Sequence, residues 1–237
     1  MPCIRPVIWA LAAVAIAMTT GCGAGSDSGT RATGPGDPGS QPGLGGAPPV
    51  TTNDPIVING EPYTTRTAPY PEVLISTSAG DIKLRLNAEK SRMAVENFLE
   101  NYVDHGFYDG TIFHHVEQGF IIIGGGYTAD GQAKETRTPI HNEAHNGLRN
   151  RRGTIAMTRD AQYADSATSQ FFINLVDNPS LDYAETAEKT NAGYCVFGEV
   201  VVGMDVVDRI AQVAVKPSGA FPLLPVEPVT VLSVKRL

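Results

Sequence analysis

Cysteine is scarce in this chain. Of its three cysteines, Cys3 and Cys22 fall within the first 22 residues, and only Cys195 lies beyond them. A single cysteine past the N-terminal segment excludes an intrachain disulfide there and a zinc site built on thiolates. Cys195 stands between Tyr194 and Val196 in an apolar run with no base beside it. That pattern reads as a buried, inert thiol. Long apolar runs are also missing: residues 7–18 supply 12, whereas a spanning helix needs about 20. Positive charge is short, with 18 Lys+Arg against 25 Asp+Glu and a net charge of -7. A general nucleic-acid binder, which must neutralise phosphates, is therefore disfavoured. Nucleotide and hydrolase signatures are absent. Gly124-Gly125-Gly126 is not followed by G-K-[ST], and no G-x-S-x-G occurs, so the glycines read as a turn or a close backbone approach. His141-Asn142-Glu143-Ala144-His145 has its Glu third rather than second and lies between Pro139 and Gly147. It reads as a loop, and no metal site is indicated.

The first 22 residues form a targeting segment. Arg5 precedes the short apolar run, and Thr19-Thr20-Gly21-Cys22 closes it. This is the layout of a signal peptide. Thr20-Gly21-Cys22 resembles a bacterial lipobox, with Thr19 where Leu is usual. The resemblance implies cleavage before Cys22, a diacylglycerol on its thiol, and attachment to a membrane by acyl chains. Gly23, where Asp commonly retains lipoproteins in the inner membrane, leans towards the outer membrane and the periplasmic space. A plain cleaved signal and an uncleaved anchor are the alternatives.

A linker follows. Residues 23–55 hold 9 Gly, 6 Pro, 3 Ser and 4 Thr, and almost nothing apolar to bury. As a flexible coil it would span roughly 30 Å. Residues 56–69 are transitional, with Pro55, Pro62 and Pro69 limiting regular structure. The segment 23–69 is thus read as disordered linker and transition, and 70–237 as one domain. That domain holds 15 Lys+Arg and 21 Asp+Glu, so it carries most of the negative charge.

Within the domain, residues 73–77 and 81–86 read as strands joined through Ser78-Ala79-Gly80. Ile82, Leu84 and Leu86 alternate with Lys83 and Arg85. Residues 91–104 switch to helical spacing, with Val95, Phe98, Leu99 and Tyr102 on one face, Ser91 as N-cap and Gly106 as the stop. Short strands are expected at 111–116, 119–123, 154–158, 169–176, 196–200 and 229–235, with a second amphipathic helix at 202–210. Many short strands and two isolated helices point to a closed or nearly closed antiparallel β structure, not to a Rossmann or TIM fold. His114 and His115 are adjacent on a strand and therefore face opposite sides.

Several stretches together resemble the cyclophilin family of peptidyl-prolyl cis-trans isomerases, in particular its bacterial secreted branch. They are Asn97-Phe98, the run from Gly106 to His114, Gly119-Phe120 leading into Gly124-Gly125, and Asn142-Glu143. Further on come Asn146 to Asn150, Arg152 to Met157, Asp165 to Asn174, Leu181-Asp182 and Val196 to Val200. The resemblance implies a mainly β fold, an eight-stranded antiparallel β-barrel capped by two α-helices. It also implies a shallow groove on the barrel's outside where X-Pro bonds of unfolded or flexible polypeptides are isomerised without a cofactor, by a monomer. It assigns His115, Phe120, Gln170 and Phe172 to the catalytic set. Ile121, Ile123, Met157, Thr158, Arg159, Leu181 and Tyr194 are assigned to substrate binding. Ile121 stands where Met is common, Thr158 where Ala is frequent, and Tyr194 where some members have His. Arg159 is expected to be solvated or to touch the bound peptide.

Three departures bear on activity. His115 replaces the family's catalytic Arg, Ile123 replaces a groove Gln that positions it, and Ser180 replaces an aromatic beside Leu181. An Arg offers five donors in a fixed fork, a His at most two, and an Ile none. The departures imply a proline pocket that persists while catalysis is weakened, and weak binding of cyclosporin-like macrocycles. The expected function is isomerisation during the folding of exported proteins. A non-enzymatic proline-peptide binding or chaperone-like envelope module is the alternative, and an envelope scaffold with a vestigial groove is a third.

Overall fold

The computed structural model describes residues 57–58, 61–62, 68–185 and 192–237. The targeting segment with Cys22 and the linker residues 23–55 lie outside the described residues. In the transitional segment, strand β1 (Val57–Ile58) pairs antiparallel with β2 (Glu61–Pro62). Asn59-Gly60 sits between the two strands, and Asn-Gly is the strongest short hairpin signal. Pro62 occupies the outer end of the ladder, opposite Val57, where a missing N–H is tolerated.

The domain begins with β3 (Glu72–Thr77) and β4 (Gly80–Leu86). The alternation read from the sequence is realised: Ile82, Leu84 and Leu86 are fully buried, and Lys83 and Arg85 are not. The first helix is less regular than its spacing suggested. An α-helical turn, α1 (Arg92–Glu96), widens into a π-helical stretch over Asn97–Tyr102 and ends in a 3₁₀ turn over Val103–His105. The buried Asn97 lies at the change, donating to the Thr168 carbonyl at 2.7 Å and accepting from Asn101 at 3.0 Å. Val95, Phe98, Leu99 and Tyr102 do share the buried face. Gly106 stops the helix in the left-handed region at φ 61, which a residue without a Cβ adopts at no steric cost.

Ser91 occupies the N-cap position, as expected, but its side chain makes no capping bond. Its hydroxyl donates instead to the Val196 carbonyl. The helix N-terminus is capped by Glu143, which accepts from the Met93 and Ala94 N–H groups at 3.2 and 2.9 Å. A carboxylate there also complements the helix dipole.

The remaining strands are β5 (His115–Glu117), β6 (Ile121–Gly124), β7 (Thr154–Met157), β8 (Phe171–Asn174) and β9 (Val196–Val202). After β9, Gly203 leads into α2 (Met204–Ala211), whose Val206, Val207, Ile210 and Ala211 are buried. A separate hairpin, β10 (Val215–Ser218) with β11 (Phe221–Pro225), precedes β12 (Val231–Arg236). This hairpin is absent from the sequence expectation, because Pro217, Pro222 and Pro225 argue against strands.

Eight strands form one antiparallel sheet in the order β12-β3-β4-β9-β7-β8-β6-β5. The two helices cap it, but the expected closed barrel is an open half-barrel. Its edges, β12 and β5, meet only where the chain enters them. There Ile112 bridges Thr230, and the Phe113 N–H donates to the Val229 carbonyl at 3.0 Å. The expected strand at 111–116 is correspondingly broken: Thr111 bridges Thr128 while Ile112 bridges Thr230. Only His115–Glu117 joins the sheet, and β11 packs along it. The concave side holds the main core, where Phe98, Tyr108, Phe113, Phe171 and Phe197 stack in tilted and edge-on pairs. Among the described residues no helix is long and apolar enough to cross a membrane.

Candidate active site

Residues directly opposite in an antiparallel ladder point to the same face. One such row runs across five strands: His115 opposes Ile123, Ile123 opposes Phe172, Phe172 opposes Ala156, and Ala156 opposes Val196. The adjacent row, Val116–Ile122–Ile173–Ile155, belongs to the inner core. Period-two alternation therefore sends the two phenylalanines of Phe171-Phe172 to opposite sides, as expected, whereas His114 precedes β5 and lies on neither face. On the outer face, Ile121, Ile123, Ala156, Phe172, Leu181 and Val196 form a second apolar cluster, with Phe120, Leu148 and Tyr194 half-buried against it.

Leu181 reaches this cluster from a loop, and a network of amides fixes it there. The Asn150 side chain donates to the Leu181 carbonyl at 3.0 Å, and the Tyr194 N–H donates to the same carbonyl at 2.9 Å. Asn178 donates to the Phe120 carbonyl and to the Asn174 side-chain oxygen. Asp182 accepts from the Asn150 N–H at 2.7 Å. Asn150 and Asn174, which motif reading quotes without a role, and Asn178, which it does not quote, are positioning residues. Their signal is the density of Asn and Asp in a loop that must be buried, where every backbone group needs a partner.

His115 sits at the rim of the cluster, and its Nε2 lies 3.4 Å from a Glu117 carboxylate oxygen. His114 is buried between Tyr127 and Phe221, with ring centroids 4.7 and 5.7 Å away. Burial first, and the neighbouring His115 second, push its imidazole down to about 3. His114 is thus a neutral structural group.

Gln170 lies over Gly126, where an added Cβ would stand 2.5 Å from the Gln170 Cγ. Its Oε1 is buried with no hydrogen-bond partner. The triple glycine is therefore a close backbone approach, as read from the sequence.

The strand expected to pair with substrate is largely engaged within the protein. The Met157 side chain belongs to the inner core, and its N–H donates to the Cys195 carbonyl. Thr158 directs both its N–H and its hydroxyl at the Gln170 carbonyl, at 3.0 and 3.1 Å.

Arg159 is not solvated, which corrects the first of the two expectations for it. It is 4% exposed. Its Nε donates to the Gly193 carbonyl at 2.8 Å, and its guanidinium lies 4.7 Å over the Tyr194 ring. Stacking on an aromatic face and bonding of several carbonyls help to hold the guanidinium in this buried position. Tyr194 in turn meets Phe172 edge-on at 5.6 Å, and burial raises its phenol above the ordinary range.

Of the other residues the sequence singled out, Ser180 is exposed beside Leu181. Burial pushes the Cys195 thiol up to about 12. His141 faces Asp165 at 3.1 Å, while the His145 ring stands against Tyr183.

The chain is similar to known proteins. Residues 72–236 match the family model described as cyclophilin type peptidyl-prolyl cis-trans isomerase/CLD. The chain belongs to the cyclophilin-type peptidyl-prolyl cis-trans isomerase family. It is 49% identical over 163 residues to peptidyl-prolyl cis-trans isomerase A of Dickeya dadantii, covering 69% of this chain and 83% of that protein. It is also 49% identical over 162 residues to peptidyl-prolyl cis-trans isomerase B of Escherichia coli, covering 68% and 97%. A crystal structure of a Cryptosporidium parvum cyclophilin-type isomerase, obtained in the presence of the dipeptide Ala-Pro, aligns with TM-score 0.55 at 26% identity. It covers 69% of this chain and 96% of that one. The apolar outer cluster lies on the face of the sheet opposite the main core.

Proposed function

We propose that this cyclophilin-type domain accelerates cis–trans exchange at X-Pro bonds during the folding of exported proteins. The observation that carries the proposal is the outer row, which sets an apolar patch of Ile123, Phe172 and Ala156 beside one hydrogen-bonding side chain, His115. The planar X-Pro bond resists rotation by roughly 18–20 kcal/mol because of its partial double-bond character. Twisting removes the resonance and leaves the prolyl nitrogen basic. A donor held near that nitrogen stabilises the twisted state more than the planar one. Phe120, Ile121, Ile123, Phe172 and Leu181 hold the ring while the preceding residue turns, and His115 is the donor. Gln170, with an unpartnered buried oxygen, accepts from the peptide.

His115 is a weaker donor than the arginine it replaces. Glu117 beside it competes for the same proton, and Ile123 opposite supplies no polar group to orient it. In other enzymes the loss of one preorganised donor costs about 100–1000-fold in rate. That arrangement also favours a second role, a proline-peptide binding module that holds client chains with little acceleration. The apolar segment 7–18 and Cys22 support export and attachment by an N-terminal lipid at the periplasmic side of a membrane, the outer one in preference. There the domain works as a monomer, on a tether, on unfolded or flexible chains.

The test is relaxation of a short Ala-Pro peptide from cis to trans at low temperature, comparing wild type with His115→Arg and His115→Ala. Clear acceleration by wild type, a gain of about tenfold or more in His115→Arg, and loss in His115→Ala are expected. Saturable peptide binding with no acceleration in wild type would leave the binding module. Wild-type activity equal to that of His115→Ala would remove His115 from the mechanism.

A further inference from the structure

The outer face continues past the groove onto β7, β9 and β4, and there its chemistry changes. A concavity of about 600 Å³ lies between Arg85 on β4, Glu199 on β9 and the turn that carries Arg149 and Arg151. Leu148 and Val196 line it and also belong to the groove cluster, so the two depressions share a wall. Three arginines and one glutamate line it, and Glu72, Arg85's neighbour on β3, is taken up by Lys83, in a domain whose 21 Asp+Glu outnumber its 15 Lys+Arg. The local balance is thus opposite in sign to the whole.

The arginines differ in how far they are neutralised. Arg149 lies 3.2 Å from Asp182, a carboxylate that also accepts from Asn150. Arg85 and Arg151 make no ion pair or side-chain hydrogen bond among the described residues. Glu199 is Arg85's cross-strand neighbour in register, yet it stands beyond ion-pair distance. The Arg151 N–H donates to the Arg149 carbonyl at 2.8 Å, and this tight turn brings both side chains to the same concavity.

We propose that this concavity is an accessory subsite for an acidic side chain of the same polypeptide whose proline occupies the groove. The proposal rests on the isomerase function argued above. Arg85 is three strands from Phe172 across the sheet, about 14 Å at about 4.8 Å per strand. Glu199, its register partner, is three residues along β9 from Val196, roughly 10 Å at about 3.3 Å per residue. An extended peptide leaving the groove therefore reaches the arginines after about five residues. Carboxylates of client chains, rather than their apolar residues, are what Arg85 and Arg151 select.

The experiment compares prolyl peptides in the isomerase assay with the full chain. One is uncharged. Two others carry a pair of glutamates four to six positions before or after the proline. At low ionic strength one acidic peptide is expected to show a KM about three- to tenfold below the neutral one, the range for one or two exposed ion pairs. The advantage should shrink in about 0.5 M salt, where screening is strong. It should vanish in the double variant Arg85→Ala, Arg151→Ala, which keeps the wild-type KM for the neutral peptide. Both side chains are exposed, so the double variant retains the fold. Equal KM values for all three peptides, or an acidic advantage that survives in the double variant, overturns the subsite while leaving the isomerase intact. A neutral peptide that is neither bound nor accelerated overturns the isomerase function itself, and the subsite with it.

Discussion

The two faces of the strands β5, β6, β8 and β7 are built from the same short segments and have opposite fates. Inward, Val116, Ile122, Ile173 and Ile155 join a core that continues through Phe98, Phe171 and Phe197. Outward, His115, Ile123, Phe172 and Ala156 form a row backed by a much smaller cluster and closed over by loops. Both faces are apolar, so hydropathy does not distinguish them. What distinguishes them is what lies beyond: helices and aromatic rings on the inside, and a loop held by side-chain amides on the outside.

Phe171 and Phe172 are adjacent in sequence, and truncating each in turn breaks the comparison most directly. Phe171→Ala removes a fully buried ring with three aromatic neighbours. It is expected to cost about 3–5 kcal/mol, and to lower Tm by roughly 10 °C for a domain of this size. The protein that remains folded should retain its affinity for prolyl peptides. Phe172→Ala removes an equally buried ring from the smaller outer cluster. Its stability cost should be similar, about 3–5 kcal/mol, but here kcat/KM for an Ala-Pro peptide falls by more than about tenfold. Calorimetry and the relaxation assay on both variants decide the matter. Loss of peptide affinity in folded Phe171→Ala would mean that the faces are not separate.

The edge of the sheet gives the next effect. His114 belongs to neither face. It is wedged under the β10–β11 hairpin, and its folded imidazole is held down at about 3 against an ordinary 6.5. Above pH 6.5 both the folded and the unfolded states carry it neutral, so it adds no pH dependence. Below that, the unfolded chain binds a proton that the folded one refuses. Stability is therefore lost as the pH falls, at about 1.4 kcal/mol per unit, and the loss levels off near pH 3. Between pH 6.5 and 5 this amounts to about 2 kcal/mol. His114→Phe keeps an aromatic ring against Tyr127 and Phe221 and removes the titration. Denaturant titrations at several pH values should show the slope in wild type reduced in the variant. Equal slopes would place the acid sensitivity elsewhere.

These contrasts also show what was legible in the sequence. Alternation at Ile82, Leu84 and Leu86, and the opposite facing of Phe171 and Phe172, followed from the two-residue period of a strand. The assignment of Phe172 rather than Phe171 to the groove needed the family resemblance, since the period does not say which face is inside. Three features were hidden. The β10–β11 hairpin was masked by its prolines. The π-helical widening at Asn97 depends on a carbonyl at Thr168, 71 residues away. Glu143 as the helix cap lies about 50 residues from the N–H groups it accepts, so the local rule chose Ser91. The open sheet had the same origin: strand strength was readable, but the different partners of Thr111 and Ile112 were not. In each case a distant contact outweighed a local preference.

Arg159 gives the smallest effect and the finest division between building the groove and acting in it. Sequence reading placed it in solvent or against substrate, whereas its guanidinium is buried over Tyr194 and donates to the Gly193, Asp160 and Ala161 carbonyls. It does not need to touch the peptide to matter, because Tyr194 packs edge-on against Phe172. Arg159→Lys keeps the charge but loses the planar stack and the fork of donors. Tyr194 should then sample more positions, and the wall of the proline seat loosens. The expected outcome is a KM raised about two- to fivefold with kcat unchanged, which corresponds to about 0.4–1 kcal/mol of binding. A group that contacts the twisting bond would lower kcat instead. Separate measurement of KM and kcat on Arg159→Lys beside Tyr194→Phe therefore assigns the residue: a matching rise in KM alone marks it as support for Tyr194, and a fall in kcat marks it as part of the chemistry.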